Sequence, residues 1–178
     1  MSSIIKVNTV EERDAGNGVT IDGLKIKDVT SGSVMSKPVL QVVTGTTNTD
    51  TGSIASTSFT DTGLTASITP SSTSSKILVV VQQNSSVYRD SSLEIYGYIN
   101  IMRDSTEIGE WFAQGRPAPV LIGPVNIMYL DSPNSTSALA YKTQIKASTT
   151  DNGGLVRANQ FSTSGESPSS IHLIEIAG

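Results

Sequence analysis

Between residues 93 and 103 the chain alternates without a break. Leu93, Ile95, Gly97, Ile99 and Ile101 fall on one side, with Glu94, Tyr96, Tyr98 and Asn100 on the other. A period of two belongs to a strand with one buried and one wet face, and a helix has no use for it. Residues 138–147 repeat the pattern, with Leu139, Tyr141, Thr143 and Ile145 opposite Lys142, Gln144 and Lys146. Short runs at 39–43, 53–60, 64–69, 76–82, 107–113, 120–122, 125–130, 155–159 and 171–176 also read as strands, separated by Gly, Pro, Asn, Asp and Ser. No window sustains a helical period, and β-branched residues favour strands throughout. The pattern predicts an all-β chain: an antiparallel β-sandwich, jelly-roll-like, with a short β-rich segment before it. Two details are specific. Asp61-Thr62-Gly63 predicts a hairpin turn between 53–60 and 64–69, and the unbroken apolar run 77–81 predicts a strand covered on both faces.

The segment before the sandwich differs in kind. Residues 6–28 are dense in charge and glycine, whereas after Val29 the chain turns to Ser, Thr and short apolar alternations. Boundaries of 1–36 for an attachment and trimerisation segment and 37–178 for the sandwich follow. Within the first, Val19-Thr20-Ile21 and Leu24-Lys25-Ile26 flank the turn dipeptide Asp22-Gly23. Strands of three residues are too small to be stable alone in water. Identical chains are the simplest source of partners, and three copies would bury Val19, Ile21, Leu24 and Ile26 on a common axis. A flexible polar tail is the simpler alternative.

Composition narrows the function classes. Charged residues make up only 16 % of the 178 and hydrophobic ones 37 %, while Ser and Thr supply roughly a quarter, as suits a thin sandwich with hydroxyl-bearing outer faces. A net charge of −4 argues against nucleic acid and against an anionic membrane as partners. No apolar stretch approaches the roughly 20 residues of a membrane span, and no secretory signal is visible, so a soluble protein is expected. Cysteine is absent, which removes disulfides and thiolate metal sites.

Catalytic constellations are sparse. Asp50-Thr51-Gly52 and Asp61-Thr62-Gly63 repeat a triplet that aspartic proteases use in pairs, but neither follows an apolar strand, and both read as turns. His172 is the single histidine and lies inside a strand, with no Gly-x-Ser-x-Gly elbow elsewhere. Asp50, Asp61, Asp131 and Asp151 could offer oxygen ligands, yet none belongs to the spaced acidic run of a calcium loop. No catalytic residue, cofactor or metal is expected. Aromatics are scarce: Trp111, Phe112, Tyr88, Tyr96, Tyr98 and Tyr129. Trp111 and Phe112 are the candidates for a surface-binding patch, or else fill the core or an interface.

Val7-Asn8-Thr9-Val10-Glu11-Glu12-Arg13-Asp14-Ala15-Gly16-Asn17-Gly18-Val19-Thr20-Ile21-Asp22-Gly23 resembles a segment recurrent in structural proteins of tailed phages, especially those of marine and cyanobacterial hosts. The remainder is similar to a sandwich module from the same sources. The pieces that carry this are Phe59-Thr60-Asp61-Thr62-Gly63-Leu64, Ser67-Ile68-Thr69-Pro70-Ser71-Ser72, Ser74-Ser75-Lys76-Ile77-Leu78-Val79, Tyr129-Leu130-Asp131-Ser132-Pro133 and Leu173-Ile174-Glu175-Ile176-Ala177-Gly178. The resemblance implies a non-enzymatic virion protein, a homotrimer bound to capsid or tail proteins as a tail fibre, tail appendage or head decoration. With one tether and one sandwich and no shaft, a small knob or capsid-decorating trimer fits better than a long fibre. A host-receptor module binding cell-surface glycan is the alternative.

Overall fold

The computed structural model describes residues 19–21, 24–26, 38–90, 93–116, 120–162, 165–166 and 168–178, with side chains described outside 19–26, 114–122 and 160–167. The chain divides into two units, residues 1–38 and 39–178. In the first, β1 (Val19–Ile21) pairs antiparallel with β2 (Leu24–Ile26), setting Val19 opposite Ile26 and Ile21 opposite Leu24. The turn expected at Asp22-Gly23 lies outside the described residues, as do the side chains of Val19, Ile21, Leu24 and Ile26.

The second unit is an antiparallel β-sandwich. Its strands are β3 (Val39–Thr47), β4 (Thr60–Ile68), β5 (Lys76–Tyr88), β6 (Ile95–Arg103), β7 (Thr106–Arg116), β8 (Val120–Asp131), β9 (Leu139–Ala147), β10 (Leu155–Ala158), β11 (Gln160–Ser162), β12 (Gly165–Glu166) and β13 (Ser169–Ile176). One sheet runs β3-β13-β5-β8, with β10 beside the far half of β5. The facing sheet runs β4-β9-β6-β7. The pairing is nested: β6–β7 is the innermost hairpin, and β5–β8, β4–β9 and β3–β13 follow outward. A long hairpin folded across itself into two sheets is a jelly roll.

Alternation sends one side of each strand inward. Ile77, Val79 and Val81 of β5 meet Ile99 and Ile101 of β6, Tyr141 of β9 and Leu173 of β13 between the sheets. Each such burial contributes about 1.5–3 kcal/mol, which holds the two layers face to face.

Three expectations are corrected. Residues 53–59 form no strand beyond one bridge from Ile54 to Val156. Asp61-Thr62-Gly63 does not turn the chain. It lies inside β4, where the register against β9 shifts and Gly63 takes a φ of +81°. Turn residues and bulge residues share the same need for a left-handed backbone, so the motif alone does not separate them. Finally, β5 runs on to Tyr88 through Gln83, Asn84, Ser85 and Ser86, which are polar yet buried.

Glu175, near the end of β13, is fully buried. Its Oε1 accepts the Ser71 backbone N–H and hydroxyl, each at 2.7 Å, and Oε2 accepts Gln41 Nε2 at 2.6 Å. Burial opposes the charge, but these donors outweigh it and hold the carboxyl at about 2, against 4.5 ordinarily. A depressed carboxyl stabilises the fold fully above pH 4.5, and that contribution is lost as the pH falls from 4.5 to about 2. Glu175→Gln should therefore flatten the acid loss of stability over this window. Urea titrations at about pH 5 and about pH 2.5 compare the two proteins, and equal losses in both would assign the effect to other groups.

Candidate functional site

The two Asp-Thr-Gly triplets do converge. Thr49, Asp50, Thr51, Ile54, Asp61 and Gly63 line one open cleft of about 260 Å³. Its chemistry is spent within the fold. Asp50 pairs with Arg157 Nη2 at 2.6 Å and accepts the Gly52 N–H at 2.9 Å, closing a tight turn. Asp61 accepts Lys142 Nζ at 2.9 Å and Gln144 Nε2 at 2.7 Å. The hydrogen bond from Lys142 holds the Asp61 carboxyl below its usual range, against a desolvation that raises it. Two carboxylates each matched to its own cation do not share a proton, which is what protease chemistry needs.

The other polar candidates are also placed. His172 points outward from β13, with Nδ1 at 2.9 Å from Thr44 Oγ1. Asp131 is buried in an ion pair with Arg103 at 2.7 Å. Asp151 begins a short 3-10 turn, Asp151–Gly153. Among the described residues no group of three or more His, Asp or Glu could hold a metal ion. Nor is any helix among them long and apolar enough to cross a membrane.

Trp111 and Phe112 part company. Trp111 turns inward, packs against the core and meets Tyr129 edge-on at 5.8 Å. Phe112 turns outward and is 56 % exposed. Register shifts between β6 and β7 at Gly97/Tyr98 and at Ile101/Met102 help decide which of the two faces out.

The outward faces of the two sheets differ sharply. On the β3-β13-β5-β8 sheet, cross-strand register lines up Val42, Ile174, Leu78 and Leu130 in one rung. The next rung holds Thr44, His172, Val80 and Met128, and beyond it lie Thr46, Ser170, Gln82 and Asn126. Met128 is 70 % exposed, Val42 58 % and Leu130 53 %, with Val39 and Leu40 exposed at the margin. The run 77–81 read as a strand covered on both sides. In the single chain only Ile77, Val79 and Val81 are covered, while Leu78 and Val80 remain half-exposed. That apolar outer face left no mark in any catalytic motif; its signal was the absence of alternation in β5.

The β4-β9-β6-β7 sheet presents aromatic and paired polar groups instead. Phe112, Tyr98 and Lys146 form one rung, and Glu110, Asn100, Gln144 and Asp61 the next. Sequence reasoning named Tyr96 and Tyr98 as aromatics but had no means of joining them to Phe112 or Lys146. No protein-family model matches the chain, and no curated protein matches it either.

Proposed function

We propose that this chain is a non-enzymatic virion surface protein that works as a homotrimer. Residues 1–36 join the copies through Val19, Ile21, Leu24 and Ile26 and dock on a capsid or tail protein, the apolar sheet face packs between the copies, and the rest of the jelly roll is displayed. The observation that carries the reading is the apolar outer face of the β3-β13-β5-β8 sheet. A contiguous exposed apolar patch marks an interaction surface, and the two apolar rungs of this one hold no Lys, Arg, Asp or Glu, with Lys76 at one end and Thr, Ser, Gln and Asn at the other. Such rungs meet their own copy without repulsion. Jelly rolls serve both capsids and lectins, so the fold agrees with display without choosing among its uses. The matched ion pairs at Asp50 and Asp61 support a role without catalysis.

The test is assembly. Light scattering at micromolar concentration should return three times the 18.7 kDa chain mass. Val42→Asp together with Met128→Asp should weaken association by about 100-fold or more, since each places a charge in an apolar contact. Both residues are exposed, so the variant should keep its fold, with stability changed by no more than about 0.5 kcal/mol per site. A wild-type monomer, or particles on which antibody labelling finds no copies, would remove the proposal.

A further inference from the structure

We infer that the outer face of the β4-β9-β6-β7 sheet is a binding site for a neutral saccharide, built on Phe112, Tyr98 and Tyr96. The Phe112 ring stands between the two tyrosines, 5.7 Å from Tyr96 at 56° and 6.2 Å from Tyr98 at 84°. More than half of Phe112 is exposed although a jelly roll has ample interior to take it. An uncovered phenylalanine flanked by tyrosines offers the C–H-binding surface that the flat side of a pyranose fits, with two phenolic edges beside it.

The adjacent rung supplies the hydrogen-bonding half. Asn100 is 1 % exposed, and its Nδ2 donates to Glu107 at 2.8 Å. Its Oδ1 meets no donor among the described residues. A buried acceptor without a donor is costly, and a ligand hydroxyl supplies the right kind of donor once the exposed Glu107 side chain over it shifts. Glu107 and Glu110, both exposed, flank it as acceptors for further hydroxyls.

Charge selects the class of ligand. Lys146 Nζ lies 4.1 Å from the Phe59 ring centre and 5.3 Å from that of Tyr98, and pairs with Glu110 at 3.1 Å. The slot that an incoming cation would take is thus filled by the chain's own lysine. Lys142 is likewise held by Asp61 at 2.9 Å. With both lysines matched and Glu94 and Glu107 added to the face, an anionic glycan or phosphate meets no free cation among the described side chains there. Sugar rings without charge remain.

The site lies within one chain on the sheet opposite the apolar face, so it stands or falls separately from trimer formation. Saturation-transfer NMR on the full chain tests it, with neutral oligosaccharides of glucose, galactose, mannose, rhamnose and N-acetylglucosamine and with sialyllactose as the charged control. Transfer to ring C–H protons of at least one neutral sugar is expected, and none to the sialic acid ring of sialyllactose. Phe112→Ala and Tyr98→Ala should each weaken binding by about ten-fold, while Phe112→Trp retains it. Val42→Asp, on the other sheet, should leave binding unchanged. No transfer to any neutral sugar at millimolar concentration overturns the inference. So does transfer to the sialic acid ring alone, or binding that survives both alanine variants with unchanged melting temperature.

Discussion

Asp131→Ala is expected to cost about 3–5 kcal/mol, the largest loss of any single polar substitution in the sandwich. Asp131 ends β8 and is 5 % exposed. Its carboxylate accepts Arg103 Nη1 with both oxygens, at 2.8 and 2.7 Å, the Tyr141 hydroxyl at 2.7 Å and the Ser132 N–H at 2.8 Å. Arg103 comes from β6 and Tyr141 from β9, both in the facing sheet, so the cluster ties the two layers together. Burial, reinforced by the neighbouring carboxylate, drives the Tyr141 hydroxyl pKa far above its ordinary range and keeps it a donor at any working pH. Alanine at 131 leaves a guanidinium and a buried hydroxyl without their acceptor, which costs far more than the pair itself contributes. With a urea m-value of about 2 kcal/mol/M, the midpoint should fall by about 2 M. Trp111, edge-on to Tyr129 on the same strand as Asp131, reports the transition by fluorescence. Asp131→Asn keeps the shape and some of the acceptors, so it should lose less. A shift below about 0.5 M for alanine would reduce the cluster to the worth of a surface ion pair.

Gln83→Leu should also be costly, by about 1–3 kcal/mol, although it places an apolar residue of similar size in a buried position. Gln83 is fully buried and uses both ends of its amide. Nε2 donates to Asn159 Oδ1 at 2.7 Å and to Ser169 Oγ at 2.9 Å, and Oε1 accepts the Thr143 hydroxyl at 2.7 Å. Asn159 in turn donates to the carbonyl oxygens of Thr49 and Thr62, at 2.8 and 2.9 Å. This network joins β4, β5 and β9 to the chain entering β13. Leucine would strand Asn159 Oδ1, while Ser169 Oγ keeps the Asn84 N–H and Thr143 keeps the Thr62 hydroxyl; one unsatisfied group in a low-dielectric interior costs about 1–3 kcal/mol. The Thr143 hydroxyl keeps the Thr62 hydroxyl as its partner, so Thr143→Val added to Gln83→Leu should recover no stability. Denaturant midpoints decide this, and a loss below about 0.5 kcal/mol for Gln83→Leu would refute the hydrogen-bond account.

The alternation at residues 93–103 and 138–147 was enough to fix strand identity and inward faces, because the pleat obeys a period of two whatever the neighbours. β6, β9 and β13 came out close to their expected spans, and burial follows the alternation apart from Asn100, though Thr143, Ser169 and Glu175 are buried polar members of it. The two short strands Val19–Ile21 and Leu24–Ile26 were also legible as alternations, and they pair antiparallel. Local signals misled where one residue type serves two purposes. Asp61-Thr62-Gly63 has turn chemistry but makes a bulge, and Gln83 to Ser86 have loop chemistry but complete a central strand.

What remained hidden depends on contacts between residues far apart in the chain. The nesting of β3 with β13 and β4 with β9 joins segments separated by many tens of residues, and no local pattern encodes such a choice. Strand spacing alone cannot predict that Phe112 would point out while Trp111 pointed in, because bulges reverse the parity of a strand. The same holds for the two outer faces. Val42, Ile174, Leu78 and Leu130 are scattered in sequence and become one apolar rung only through register across four strands. Periodicity therefore settled the class of fold, and pairing settled the surfaces on which function depends, because a side chain's face is local whereas its neighbours are not.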